Sequence, residues 1–210
     1  MSLRILLILI PAMPLAAALL TAALGWLLRG RSHWPAVAAV GASCVASILL
    51  VFAVQSNSQP EEIVPLWTWA VVEDARGPTP TPEPGEPSPQ SATDMASRNF
   101  QIDVTLRADP LTAVMLATVT FISFLVVVYS IGYMHGDPGY WRFFTYVSLF
   151  VFSMTMLVSA SNFVILYVFW EAVGLCSYLL IGFWYEKPSA SAAGMKAFLV
   201  NRVGDFGFAL

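Results

Sequence analysis

Residues 162–184 read NFVILYVFWEAVGLCSYLLIGFW, a run whose only charged residue is Glu171. An ionisable group at bilayer depth costs several kcal/mol, roughly 2.5–3.5 on insertion scales and more on an isolated helix. At about 1.5 Å per helical residue, Glu171 lies roughly 12 Å from one end of the run and roughly 20 Å from the other. A Glu side chain is too short to reach an interface from there. The acid is therefore neutral, paired, or facing water inside a bundle, and each alternative places a proton site within the membrane. A buried acid that only bridges two helices is the competing reading, although intramembrane acids are usually functional.

The rest of the chain suits that setting. Of its 210 residues, 58% are hydrophobic and only 11% charged, with mean hydropathy +0.71. A soluble domain averages about 45–50% apolar and about 25% charged. The composition therefore indicates an all-α polytopic membrane protein. A net charge of −3 without basic clusters argues against nucleic acid. Cys44 and Cys176 stand in apolar runs and read as small core residues rather than a disulfide framework. His33 and His135 stand alone and read as solvated loop residues; no metal-ligand spacing, glycine-rich phosphate loop or CxxC pair is present.

Residues 5–28 are uncharged and long enough to span about 30 Å of hydrocarbon. A signal peptide, whose apolar core would be shorter, is the rival. Pro11 and Pro14 either kink this helix or mark its first turn. Arg29 and Arg31 close it, and residues 34–54 form a second span with Trp34 as interfacial anchor. Residues 55–109 then carry nine acids against three bases. Within them, 77–97 (GPTPTPEPGEPSPQSATDMAS) is a Pro-rich acidic tract that cannot bury a core and is expected to be disordered or extended. Two ordered pieces flank it. Residues 65–72 (PLWTWAVV) are aromatic and β-branched, and 100–107 alternate, with Phe100, Ile102, Val104 and Leu106 on one face. They are expected to form a β-hairpin with the insertion at its tip; two separate interfacial segments are the alternative.

Asp109-Pro110 reads as an N-cap followed by proline in the first turn, opening a third span over 111–134. A loop over 132–142 with the turn signal Asp137-Pro138-Gly139 leads to a fourth span, 143–160. Asn162 caps the fifth, 163–184. The sixth starts near Ala190 or Ala192 and carries Lys196, Arg202 and Asp205. Three charges make a poor lipid-facing helix, so it must face a polar seam. Arg202 and Asp205, three apart, share a helical face. They lie roughly 15 and 20 Å along that helix, and Glu171 is roughly 20 Å deep when counted from the same side. Antiparallel packing would bring the three to one level. The expected fold is thus about six transmembrane helices, the last incomplete, with an extracytoplasmic β-hairpin between the second and third. Lys and Arg bias places the Arg29, Arg142 and Lys187 loops in the cytoplasm and the hairpin outside.

The run FWEAVGLCSYLLIGFWY (169–185), followed by AAGMKAFLVNRVGDFGFAL (192–210), resembles the antiporter-like subunits of respiratory complex I, nearest to the subunit L or chain 5 branch. The resemblance extends back through PLWTW, ADPLTAVML and HGDPGYWRFFTYVSLF. It implies that Glu171 is the fifth-helix glutamate of the family's proton channel, that Asp205 is the acid of the sixth helix, and that Lys196 and Arg202 are the charges preceding it. It implies that the glutamate pairs with a lysine on a further helix beyond this sequence. It also implies an N-terminal portion of a longer chain: helices 1–2 (1–54), the hairpin (55–109), and helices 3–6 of a proton-channel half (110–210). The 77–97 insertion falls outside the family pattern.

A carboxylate in low dielectric prefers its proton, and a nearby cation reverses that preference. Glu171 is therefore expected to act as a switch acid, with Asp205 and Arg202 tuning its field or trading partners with it, and Lys196 near the cytoplasmic mouth. Ser153, Thr155, Ser159 and Ser177 either order water along the path or bond their own helix backbone. No residues warrant binding of NADH, flavin, iron–sulfur clusters or quinone; the resemblance assigns these to partner subunits of a quinone-reducing oxidoreductase. The expected partners are other membrane subunits, lipid and protons, in a bacterial-type plasma membrane. Two rivals remain: the large subunit of a multisubunit Na⁺/H⁺ antiporter, and a non-transporting scaffold.

Overall fold

A computed structural model describes residues 3–28, 31–56, 62–72 and 100–209. The Pro-rich tract 77–97 and Arg29 lie outside the described residues. The elements are α1 (Leu3–Leu28), α2 (His33–Ser56), β1 (Glu62–Val72), β2 (Phe100–Ala108), α3 (Pro110–Tyr133), α4 (Tyr140–Ser159), α5 (Phe163–Ile181) and α6 (Pro188–Ala209). Among the described residues, α1 to α5 are long and apolar enough to cross a membrane. The three charges of α6 set it apart.

Helices α1, α2, α3 and α4 pack around a shared core, α5 lies on α4, and α6 lies on α5. Leu7, Ile10, Leu50, Leu106 and Leu116 fill one end of that core; Val40, Val127, Phe144 and Val151 fill the other. Pro11 and Pro14 both sit inside α1 rather than at its start. Pro14 has no N–H, so the Ile10 carbonyl loses its usual helical donor. The Ser43 hydroxyl of α2 donates to that carbonyl at 2.7 Å, which explains how a proline persists in an apolar helix.

Strands β1 and β2 pair antiparallel, from Glu62 opposite Ala108 to Val72 opposite Phe100, with irregularities at Pro65/Trp67 and Thr68/Ala70. A proline is tolerated because a two-stranded sheet has only edges. The alternation in β2 holds where side chains are described: Val104 and Leu106 are buried and Ile102 half-buried. The sheet is tied to the α4–α5 junction in three ways. Leu106 bridges Ala160, the Thr105 and Ser161 hydroxyls hydrogen-bond, and the Asn162 amide donates to the Asp103 carbonyl at 2.6 Å.

Asp109 caps α3, accepting the Thr112 N–H at 2.6 Å, and pairs with Arg107 at 3.3 Å. Burial pushes its carboxyl up, but the bonds from Thr112 and the Arg107 charge outweigh this and hold it below the usual aspartate value. Asn162 caps α5 through Ile165 N–H at 2.9 Å.

Several boundaries differ from the sequence expectation, among them the start of β1, at Glu62 rather than Pro65, and the start of α6, at Pro188 rather than near Ala190. Helix α4 begins at Tyr140, three residues early, because Asp137 accepts the Gly139 N–H at 2.7 Å and closes the turn just before it. Buried Tyr140 then packs on Phe144. Helix α5 ends at Ile181 rather than Trp184; the chain turns at Gly182 so that Phe183 tucks against Phe143 and under the Arg142 guanidinium, 5.0 Å from its ring. Helix α6 starts at Pro188, where a missing N–H costs nothing.

Candidate functional site

Helices α5 and α6 bring together three of the four residues selected from the sequence. The Arg202 guanidinium forms an ion pair with Glu171 across the two helices. It also lies 3.9 Å from Asp205 on its own helix, one turn away. The Asp205 side chain is only 9% exposed, that of Glu171 20% and that of Arg202 37%. Arg202 further stacks over the Phe198 ring at 4.7 Å. A guanidinium delocalises its charge and stacks on aromatic faces, so it suits such a site better than an ammonium.

Lys196 does not join the cluster. It is exposed and has no ion-pair partner among the described residues. It precedes Arg202 by six residues, which at 3.6 per turn places it about 120° around the helix.

The sequence reading missed Trp170. Its indole N–H donates to Asp205 Oδ1 at 2.8 Å, while Asp205 Oδ2 is the oxygen nearest Arg202. Each helix thus contributes one donor and one acceptor: Trp170 and Glu171 from α5, Arg202 and Asp205 from α6. A Trp beside a lone acid in an apolar run was the available signal, because an indole N–H away from water seeks an acceptor. Beside this quartet lies a cavity of about 600 Å³, lined among others by Asp205, Trp170, Asn201, Ser177 and Gly174.

The four candidate hydroxyls bond their own backbones. Ser153, Thr155 and Ser177 donate to the carbonyls of Leu149, Val151 and Val173, each at 2.9 Å, and Ser159 donates to that of Thr155. Only Ser177 among them also lines the cavity. Cys44 and Cys176 are free and buried, as expected.

His33 corrects the sequence reading. It is the first residue of α2, half-buried, with Nδ1 3.0 Å from the Tyr140 hydroxyl and its ring edge-on to Tyr140. His135 does lie exposed in a turn. At that same end, opposite the sheet, Arg142 stacks on Phe183 and Tyr185, Lys187 lies 4.7 Å over Trp184, and Trp184 donates to Asp137 at 3.0 Å.

Five helices long and apolar enough to cross a membrane among the described residues, with an acid–guanidinium cluster between two of the chain's helices, define a multi-pass membrane protein with a charged seam. Residues 95–144 match the family model described as NADH-ubiquinone oxidoreductase (complex I), chain 5 N-terminus, and residues 160–210 match that described as NADH:quinone oxidoreductase/Mrp antiporter, TM. The chain belongs to this family of antiporter-like membrane subunits. The chloroplastic NAD(P)H-quinone oxidoreductase subunit 5 of Mesostigma viride is 41% identical over 96% of this chain. The NADH-quinone oxidoreductase subunit L of Neisseria meningitidis serogroup A is 38% identical over 97%. The chain spans 28% and 27% of the length of these two relatives. A chain of the Mrp complex from Dietzia sp. shares the fold, with TM-score 0.64 and 24% identity over 95% of this chain and 18% of that one.

Proposed function

We propose that this chain is part of a proton-translocating membrane subunit of an NADH:quinone oxidoreductase, and that Glu171 is its switch acid. The observation that carries the reading is the pairing of Glu171 with Arg202 from the next helix, with Asp205 poised as a second anion for the same guanidinium. A guanidinium is not deprotonated in proteins, so the switch is the position of Arg202. On Glu171, it holds that residue as a carboxylate. Turned to Asp205, it leaves Glu171 as a lone acid among apolar helices, which takes up a proton. Its return expels that proton. Electron transfer in other subunits would drive the exchange, and this chain would hold no redox centre of its own.

The chain would work beside other membrane subunits in a bacterial-type plasma membrane. Arg29, Arg142 and Lys187 would face the cytoplasm and the β1–β2 sheet the outside, with Lys196 entering from the cytoplasmic side. The test is Glu171→Gln in the assembled complex, followed by dye-reported proton pumping in inverted vesicles during NADH oxidation. Assembly should persist and pumping should be abolished; pumping at the wild-type level would overturn the assignment.

A second reading, the large subunit of a multisubunit Na⁺/H⁺ antiporter, is favoured by the fold shared with the Mrp chain. Na⁺-dependent proton movement without NADH oxidation would select it.

A further inference from the structure

We infer that Trp170 is a positioning residue that keeps Asp205 ready to receive Arg202. The inference rests on the switch reading above and deepens it. If the guanidinium is to leave Glu171, a second anion must already face it in the right orientation. An aspartate rotates about two side-chain bonds, and nothing in α6 alone fixes which oxygen faces Arg202. The structure divides the two oxygens between two donors: the Trp170 indole N–H holds Oδ1 at 2.8 Å, and Oδ2 is left toward Arg202 at 3.9 Å. An indole N–H only donates, so it competes for one oxygen and never for the guanidinium. Hydrogen bonds to a charged acceptor are shorter and stronger than neutral ones, and they fix orientation.

The adjacency of Trp170 and Glu171 adds a coupling. The residue that orients the receiving anion and the acid that gives up the guanidinium are neighbours on one helix. A shift of α5 therefore moves both ends of the exchange together. The cavity beside the quartet makes the contact consequential. Asp205 and Trp170 both line it, together with the polar side chains of Asn201 and Ser177. Without the indole N–H, Oδ1 faces that cavity and the carboxylate is free to turn Oδ2 away from Arg202. The indole need not be enclosed for this role; Trp170 is 46% exposed while its nitrogen is engaged.

The test uses the assembled complex in native membranes. Trp170→Phe removes the N–H and keeps an aromatic ring. NADH-driven pumping should fall on the order of tenfold, the scale of one lost bond to a charged group, at unchanged subunit abundance. In an Asp205→Asn background the same substitution should change residual pumping by less than about twofold, because the group it orients has gone. Ultraviolet resonance Raman difference spectra of wild type minus Trp170→Phe isolate the Trp170 indole. Its strong hydrogen-bond signature should weaken on Asp205→Asn, which a merely packing tryptophan would not show. Wild-type pumping in Trp170→Phe, an equal loss in both backgrounds, or an unchanged indole signature would each overturn the inference. If Glu171→Gln still pumps, the switch reading fails instead, and the Raman result continues to report on Trp170 separately.

Discussion

Ser43 of α2 donates its hydroxyl to the carbonyl of Ile10 in α1, the group that Pro14 leaves without a helical donor. Both atoms are buried in the bundle, where an unmatched carbonyl costs about 1–3 kcal/mol. Ser43→Ala should therefore lower the thermal unfolding midpoint in detergent by an amount on that scale. Adding Pro14→Ala should recover most of the loss, since an alanine at that position brings its own N–H. Equal stability of Ser43→Ala and wild type would show that the carbonyl needs no such partner.

Asn162 does two jobs with opposite ends of one amide. Its oxygen caps α5 and its nitrogen holds the Asp103 carbonyl of β2. Asn162→Ala should lose both, about 1 kcal/mol for the cap and about 1 kcal/mol for the strand contact. Asn162→Asp keeps the capping oxygen and loses the donor, so it should fall between alanine and wild type in unfolding measurements. An aspartate variant as weak as alanine would contradict this division.

The Asp109 carboxyl, held below its usual range by Thr112 and Arg107, ties stability to pH. Its proton affinity is lower in the folded than in the unfolded state. Its contribution is therefore complete above the ordinary aspartate value and is lost as pH falls through the lower, folded value. Unfolding midpoints recorded from neutral into acid pH should drop less steeply for Asp109→Asn, which still caps the helix but cannot titrate. Parallel curves for the two proteins would count against the linkage.

Removing Arg202 alone leaves Glu171 without its partner, so the acid must stay charged and uncompensated or bind a proton, each at a cost, whereas removing both groups leaves no unpaired acid at that position. Arg202→Gln should accordingly reduce subunit abundance on native gels more than the double substitution Glu171→Gln with Arg202→Gln. A double variant no better assembled than the single would mean that Arg202 serves some other contact.

Much of this was legible in the chain. Apolar runs of spanning length, the Asp109-Pro110 start and the Asn162 cap are local signals, and each appears at its expected place. The alternation in β2 is local as well, and Val104 and Leu106 face inward accordingly. The convergence of Glu171 with Arg202 and Asp205 followed from counting helical rise on two antiparallel helices. What escaped depends on helix rotation and on distant partners. The approach of His33 to Tyr140 joins residues 107 apart in sequence, beyond any periodicity. The early end of α5 follows from Phe183 finding a tertiary partner in Phe143, whereas the early start of α4 follows from a local bond, Asp137 accepting the Gly139 N–H, that fixes where the turn closes. The bond from Trp170 to Asp205 needed the azimuth of two helices at once.

Because the Asp103 carbonyl grips the Asn162 side chain, the first turn of α5 hangs from β2. Glu171 sits nine residues further on, about 14 Å along the helix axis. The two-stranded sheet is thereby a plumb line for the acid: whatever raises, lowers or twists the strands also changes the height of the Glu171 carboxyl within the bundle.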